Sequence, residues 1–283
     1  MEVTRIDFNS PTAAETFSAS LHHTGFAVLY NHPIEKTNVE QLYQQWLDFF
    51  LQDETKKEKY IVDPNSQVGW VPAKIAEVAK GFSVKDLKEF FNYYSSGSCP
   101  PTLQGNTQKL YDELRTLGTT LLHWLQQYTP RNIRVKFSET LPQMVENSQG
   151  NLFRINYYPP LQGTEEEGAV RAAEHTDIDL LTVLTAGTTP GLQALEKNGA
   201  WHDIPCEHGN LVINAGDMLQ ECSNGYYPST IHRVLNPTGT AAQRPRMSCP
   251  MFIHPRKEVS LSERHTADSY LHERLVEVGL RKE

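Results

Sequence analysis

Cysteine is scarce and scattered: 4 residues, Cys99, Cys206, Cys222 and Cys249, in a chain of 283, with no CxxC pair. That excludes a disulfide scaffold and a cysteine-rich zinc site, and it fits a reducing compartment. No stretch approaches the roughly 20 apolar residues that a membrane helix needs, so no membrane partner is expected. The opening MEVTRIDFNS has neither a basic segment nor an apolar one. No secretory leader is read there, and a cytoplasmic location is expected. Positive charge is also short: 26 Lys and Arg against 34 Asp and Glu give a formal charge of -8. Nucleic-acid binders carry a basic footprint, so nucleic acid is not an expected partner. Repeats, low-complexity tracts and Pro- or Gly-rich linkers are missing too. A single domain over 1–283 is therefore expected.

What is present changes character near Pro130–Ser148. The first 130 residues read as helix-rich. Thr37–Tyr60 repeats apolar residues at three- and four-residue steps until Pro64-Asn65, and Thr107–Gln127 puts Leu110, Leu114, Leu117, Leu121 and Leu125 on one stripe. Ahead of these, VTRIDF and His22–Ile34 read as strands. From 150 to 256 the period shortens. Leu152–Tyr158, Leu180–Leu184, Gly191–Leu195, Asn210–Asn214, His232–Leu235 and Met247–Ile253 are short β-like runs divided by Gly, Pro, Asn and Asp. Many short strands at this spacing predict a sandwich or a two-sheet jelly roll resting on the helical layer.

Within the β region, His175-Thr176-Asp177 offers an imidazole and a carboxylate two residues apart, on one face if the segment is a strand. His232 opens a later run and supplies a third ligand. Two imidazoles and one carboxylate leave open positions on an octahedral ion, an arrangement suited to Fe(II). A His-x-Asp pair is a weak sign alone, since 11 histidines produce such pairs readily. The neighbours His202-Asp203 and His22-His23 would face opposite ways on a strand. His254, His265 and His272 sit among charged residues and read as solvated.

Arg246-Met247-Ser248 again has the i, i+2 spacing, with Met247 on the packing side. Arg offers a planar fork for a carboxylate and Ser a hydroxyl. Asn156 and Tyr158 share a face of their strand, and the Tyr158 hydroxyl could reach a bound carboxylate. A plain structural role is equally open for that tyrosine.

In order along the chain, these pieces resemble the isopenicillin N synthase-like family of iron(II)/2-oxoglutarate-dependent oxygenases. The resemblance begins at Ile6-Asp7-Phe8 and Gly25-Phe26-Ala27-Val28 with Asn31-His32. It continues through Phe49-Phe50, Gly69-Trp70-Val71-Pro72, Asp86–Phe90 and Arg154–Pro160. It then takes in His175-Thr176-Asp177, Gly191-Leu192-Gln193, Trp201, Asn214–Asp217, Ser223-Asn224-Gly225, His232-Arg233-Val234 and Arg246-Met247-Ser248. It implies a double-stranded β-helix (jelly roll) core flanked by N-terminal helices. It implies Fe(II) on His175, Asp177 and His232, and 2-oxoglutarate as cosubstrate with its far carboxylate on Arg246 and Ser248. Asn156 and Tyr158 would support it. The implied reaction oxidises a small molecule with O2, usually by hydroxylation, while 2-oxoglutarate becomes succinate and CO2.

Two features depart from the family. About thirteen residues separate His232 from Arg246, so Asn236–Pro245 is expected to form a hairpin loop. Only about thirty-five residues follow Ser248, so a reduced C-terminal helix and an open entrance are expected. Phe153, Asn156, Leu180 and Phe252 are candidates for the mouth. Two other readings stay open. One is an iron oxidase without 2-oxoglutarate, either isopenicillin N synthase-like, with Arg246 and Ser248 on the substrate, or using ascorbate as reductant. The other is a non-catalytic jelly-roll binding protein.

Overall fold

The computed structural model describes residues 2–63, 67–75, 84–97, 99–205 and 207–277. The expected break at Pro64-Asn65 and the thiol of Cys206 lie outside them. The strands are β1 (Arg5–Asp7), β2 (Phe26–Tyr30), β3 (Gly69–Val71), β4 (Glu89–Tyr93), β5 (Leu152–Tyr158), β6 (Ala172–His175), β7 (Leu181–Thr185), β8 (Leu192–Leu195), β9 (Trp201–Asp203), β10 (Leu211–Ala215), β11 (His232–Val234) and β12 (Arg246–Ile253). They form a large sheet, β1-β2-β10-β7-β12-β5-β4-β3, and a small one, β6-β11-β8-β9. This is the jelly roll, with the small sheet facing one side of the large one.

The period of two in the sequence separates two environments. On β12, Met247, Cys249, Met251 and Ile253 enter the main apolar core, while Arg246, Ser248, Pro250 and Phe252 line a cleft between the sheets. On β5, Phe153, Ile155 and Tyr157 take the core side, and Arg154, Asn156 and Tyr158 the cleft side. A smaller apolar cluster, including Phe26, Val28, Leu192, Val212 and Val234, fills the space between the sheets beside the cleft.

Helices cover the core side. α1 (Ala13–Thr24) stops at Gly25, which takes a left-handed φ of 72° and donates its N–H to Leu21 O. A Cβ there would lie 2.5 Å from Pro228 O and from Thr230 Oγ1, so glycine is required twice over. α2 (Lys36–Phe50) buries Leu42, Tyr43, Trp46, Phe49 and Phe50, and the Trp46 indole donates to Thr107 Oγ1 at 3.0 Å. Short helical turns α3 (Glu54–Lys57), and later α5 (Arg131–Arg134) and α6 (Leu141–Val145), make connections. α4 (Pro101–Tyr128) buries the predicted leucine stripe and crosses β12 at Gly118, where an added Cβ would meet Ile253 Cγ1 at 2.7 Å. α7 (Asp217–Cys222) follows β10, and α8 (Ala267–Glu277) ends the described chain. None of the described helices is long and apolar enough to cross a membrane.

Three expectations change. His22-His23 end a helix rather than start a strand; the strand begins only at Phe26, after the Gly25 cap. The helix-rich first part also gives two strands, β3 and β4, to the large sheet. Asn236–Pro245 is not a hairpin, because β11 and β12 belong to different sheets and the connection must cross between them. It contains a 3-10 turn over Gly239–Gln243, fixed by Leu161 N–H on Ala242 O and by the Asn236 amide on Ala169 O.

Candidate metal centre

His175 is the last residue of β6, and Asp177 lies just beyond the strand. Same-face alternation along a strand is therefore not what joins them; the chain turns out of the sheet and brings the carboxylate back. His232 opens β11 directly opposite His175 in the antiparallel register. One ligand atom from each of the three lies within 4.8 Å of the others. Asp177 Oδ1 is 3.8 Å from His175 Nε2 and 3.7 Å from His232 Nε2.

Neighbouring groups fix which atoms face the common point. His175 Nδ1 is 2.8 Å from Ala173 O and His232 Nδ1 is 3.1 Å from Thr230 O. A carbonyl only accepts, so Nδ1 carries the proton and the Nε2 lone pair is presented. Asp177 Oδ2 accepts from Thr182 Oγ1 at 2.5 Å and from Asn214 Nδ2 at 2.8 Å, leaving Oδ1 for the metal. Thr182 also lies 3.0 Å from Asp179 Oδ2. It has one proton for two carboxylates. Burial, and then the Asp177 charge, push the Asp179 carboxyl well above the usual range, so Asp177 is the charged and stronger acceptor.

Desolvation, helped by His232 and Lys88 against Asp177, lowers the His175 imidazole to about 4. It is neutral at pH 7, the form that ligates metal. Burial alone would raise Asp177, but His232 and His175, then Asn214 and Thr182, hold it below the ordinary value. Two imidazoles presenting Nε2 and one carboxylate, with open space on the cleft side, fit Fe(II).

The other end of the cleft is cationic. The register sets Arg246 opposite Tyr158 and Ser248 opposite Asn156. Buried Arg246 donates from Nε to Thr189 O and from Nη1 to Ser248 Oγ, both at 3.1 Å, with its guanidinium 4.9 Å from the Tyr158 ring centre. Among the described residues no carboxylate pairs with it. Gly187 makes the room, since a Cβ there would lie 2.6 Å from Arg246 Nη2. The cleft opens to solvent and is lined by the three ligands, Arg246, Ser248, Asn156 and Tyr158 together with Phe26, Leu184, Pro250 and Phe252. No residue of α8 lines it.

The sequence reading missed several groups. Thr182 and Asn214 come from β7 and β10, and only the strand register reveals them. Arg171 is fully buried behind Arg246. It donates to Thr189 Oγ1 and to Arg244 O at 3.2 Å each, while its Nε has no partner. Burial, then repulsion from Arg246, lowers it to about 10. Lys88 and Arg154 line the cleft. Two mouth candidates are overturned: Phe153 and Leu180 are buried in the main core, whereas Asn156 and Phe252 line the cleft. Phe153 has the opposite parity to Asn156 on β5, and Leu180 precedes β7 on its core side. His265 and His254 are not solvated. His265 is buried against Tyr270 and Glu273, and burial lowers His254 to about 4.

A jelly roll with a two-histidine, one-carboxylate centre and a buried cation at the far end of the same cleft defines the non-haem iron oxygenases. Residues 149–255 match the 2OG-Fe(II) oxygenase superfamily, and residues 4–112 match the non-haem dioxygenase in morphine synthesis N-terminal family. A Shewanella oneidensis protein described as a candidate oxygenase is 46% identical, covering 99% of this chain and 100% of its own, with a TM-score of 0.89. Proline hydroxylase buaE of Petromyces alliaceus is 27% identical over 92% of this chain and 90% of its own. Gibberellin 2-beta-dioxygenase 1 of Pisum sativum is 24% identical over 88% and 76%. The chain belongs to the 2OG-Fe(II) oxygenase superfamily, as the sequence resemblance implied. It is a non-haem Fe(II)- and 2-oxoglutarate-dependent dioxygenase.

Proposed function

We propose that His175, Asp177 and His232 hold the Fe(II), and that Arg246 and Ser248 grip the far carboxylate of 2-oxoglutarate, with Asn156 and Tyr158 alongside. The observation that carries this is the buried Arg246 guanidinium, without an acidic partner among the described residues, in the same cleft as the three ligands. A buried charge left unpaired costs several kcal/mol, so an anion belongs there. Iron and 2-oxoglutarate, when bound, supply the oxidising power drawn from O2, with succinate and CO2 as by-products. The chain's own residues orient the ligands through their Nδ1 and Oδ2 bonds, seat the cosubstrate, and shield the reaction between two sheets.

The outcome is hydroxylation or a related oxidation of a small molecule. The relatives' names point to different substrates, so none is carried over. The helix-rich and jelly-roll parts share one apolar core, which supports a single domain over 1–283. The buried free thiols Cys99, Cys222 and Cys249 fit a reducing cytoplasmic setting. Anaerobic addition of Fe(II) and 2-oxoglutarate tests the assignment. A weak visible charge-transfer band is expected, absent in His175→Ala and Asp177→Ala. Wild-type protein that gives no band, or no succinate in air, rejects the reading.

A further inference from the structure

The stretch Asp86–Phe90 leads into β4 of the large sheet, but its first residues touch the small sheet. There β6 is an edge strand, paired on one side only, with β11. The pairing is irregular. His175 stands opposite His232 and Ala172 opposite Val234, so Ala173 and Glu174 together face Arg233 alone. Such a bulge re-aims the side chain beside it, here His175, and disrupts the ladder locally. An edge strand of 4 residues that carries a bulge has few ladder bonds to fix its register. A slip of one residue would turn His175 to the other face.

Asp86 supplies the missing hold. Its buried carboxylate accepts the Ala173 N–H on Oδ1 at 2.8 Å, and the adjacent Leu87 N–H donates to Val170 O, just ahead of β6, at 2.9 Å. The Ala173 carbonyl in turn accepts the His175 Nδ1–H at 2.8 Å. The two polar groups of one backbone residue thus join Asp86 to a metal ligand. Glu174, the other bulge residue, is tied by Arg233 at 3.2 Å. The second oxygen of Asp86 is held by Lys88 Nζ at 2.8 Å, and Lys88 lines the cleft.

His175 is the ligand that most needs such support. Its side chain is 38% exposed, against 6% for Asp177 and 9% for His232. Surrounding packing fixes the other two. The His175 ring rests on the His232 ring, 4.3 Å away between centres, and on its bond to Ala173 O.

Resting on the assignment of His175 as a metal ligand, we infer that Asp86 is a positioning residue of the metal centre. It pins the bulge of β6 through the Ala173 N–H and so aims the His175 imidazole, while Lys88 holds Asp86 in place from the cleft wall.

The test uses full-length protein with Mn(II) and with 15N-labelled histidine. In Asp86→Ala the Ala173 N–H loses its acceptor, and Mn(II) affinity should fall about 10- to 100-fold. Pulsed electron paramagnetic resonance should show one strongly coupled imidazole in that variant where wild type shows two. A general loss of stability would weaken binding and leave two, which separates positioning from a merely structural role. Asp86→Asn is the milder variant. Whichever way its amide turns, the amide N–H meets a second donor, Ala173 or Lys88, so it should share the defect. Adding Lys88→Gln gives that N–H an acceptor and returns the Asn oxygen to Ala173, so both imidazole couplings and most of the affinity should recover. Wild-type affinity or two coupled imidazoles in Asp86→Ala, or no recovery in the double exchange, overturns the inference. If Asp86→Ala does not fold, the same readings on Asp86→Asn decide. Wild-type protein that binds no Mn(II) rejects the metal centre itself, and the inference with it.

Discussion

Thr182 Oγ1 lies 2.5 Å from Asp177 Oδ2, on a different strand from either histidine. Together with Asn214 it occupies one oxygen of the carboxylate and so points the other at the two imidazole Nε2 atoms. A ligand's geometry is here set by a residue that never touches the metal.

Thr182→Val keeps the shape and removes that hydroxyl. Metal affinity should fall about 10- to 100-fold, the usual effect of losing such a supporting bond. Mn(II) titration followed by electron paramagnetic resonance measures it, and unchanged affinity would show that Asn214 suffices.

Arg246→Ala should weaken 2-oxoglutarate binding by about 1.5–3 kcal/mol, and Ser248→Ala by about 0.5–1.5 kcal/mol. Calorimetry on Zn(II)-loaded protein separates this from metal binding. Equal loss of metal and cosubstrate would make Arg246 a structural residue.

Arg171→Met removes the second buried cation of the deep end. The Thr189 hydroxyl loses its donor, and with it part of the support for the carbonyl that holds Arg246 Nε. The expected result is a several-fold rise in the 2-oxoglutarate requirement, with metal affinity retained. A fall in metal affinity of the same size would contradict the proposed route through Thr189.

Gly118→Val drives side-chain atoms into Ile253 at the crossing of α4 and β12. Overpacking of this kind costs about 1–3 kcal/mol. Urea unfolding of wild type and variant reads the difference, and equal midpoints would mean that the crossing yields.

Burial keeps His254 neutral in the fold down to about pH 4, whereas an unfolded chain protonates it near the ordinary 6.5. As pH falls through that window the unfolded state takes up the proton first, so this residue costs the folded state stability. His254→Gln removes the cost. Its melting temperature relative to wild type, measured in chelator, should rise between pH 6.5 and pH 4. A difference independent of pH would show that His254 titrates normally.

Much of this was legible in residue order. The leucine stripe of α4, the short strands and the parity of Arg246, Ser248, Asn156 and Tyr158 all follow from periodicities of 3.6 and 2. Helix α1 was hidden because its polar AAETFSASLHHT gives a weak stripe, and the strand after it drew His22 and His23 into its reading. Asp177 was assigned to the right site for an incomplete reason, since it lies past the end of β6. The supporting roles of Thr182, Asn214 and Arg171 were invisible because each depends on a neighbour that only the fold brings beside it. Register is a property of the folded sheet and not of any single segment.

The strict alternation along β12 has a consequence for how this protein can change. Its even-numbered residues face the chemistry, and its odd-numbered residues carry the weight of α2 and α4. Substitutions on one set can retune what is bound while the other set is left alone, so the strand tolerates exchange of residues. It does not tolerate a change of length. One inserted residue within it would turn the downstream cleft-facing side chains into the apolar core and the downstream core residues into the cleft, losing stability and chemistry in a single step.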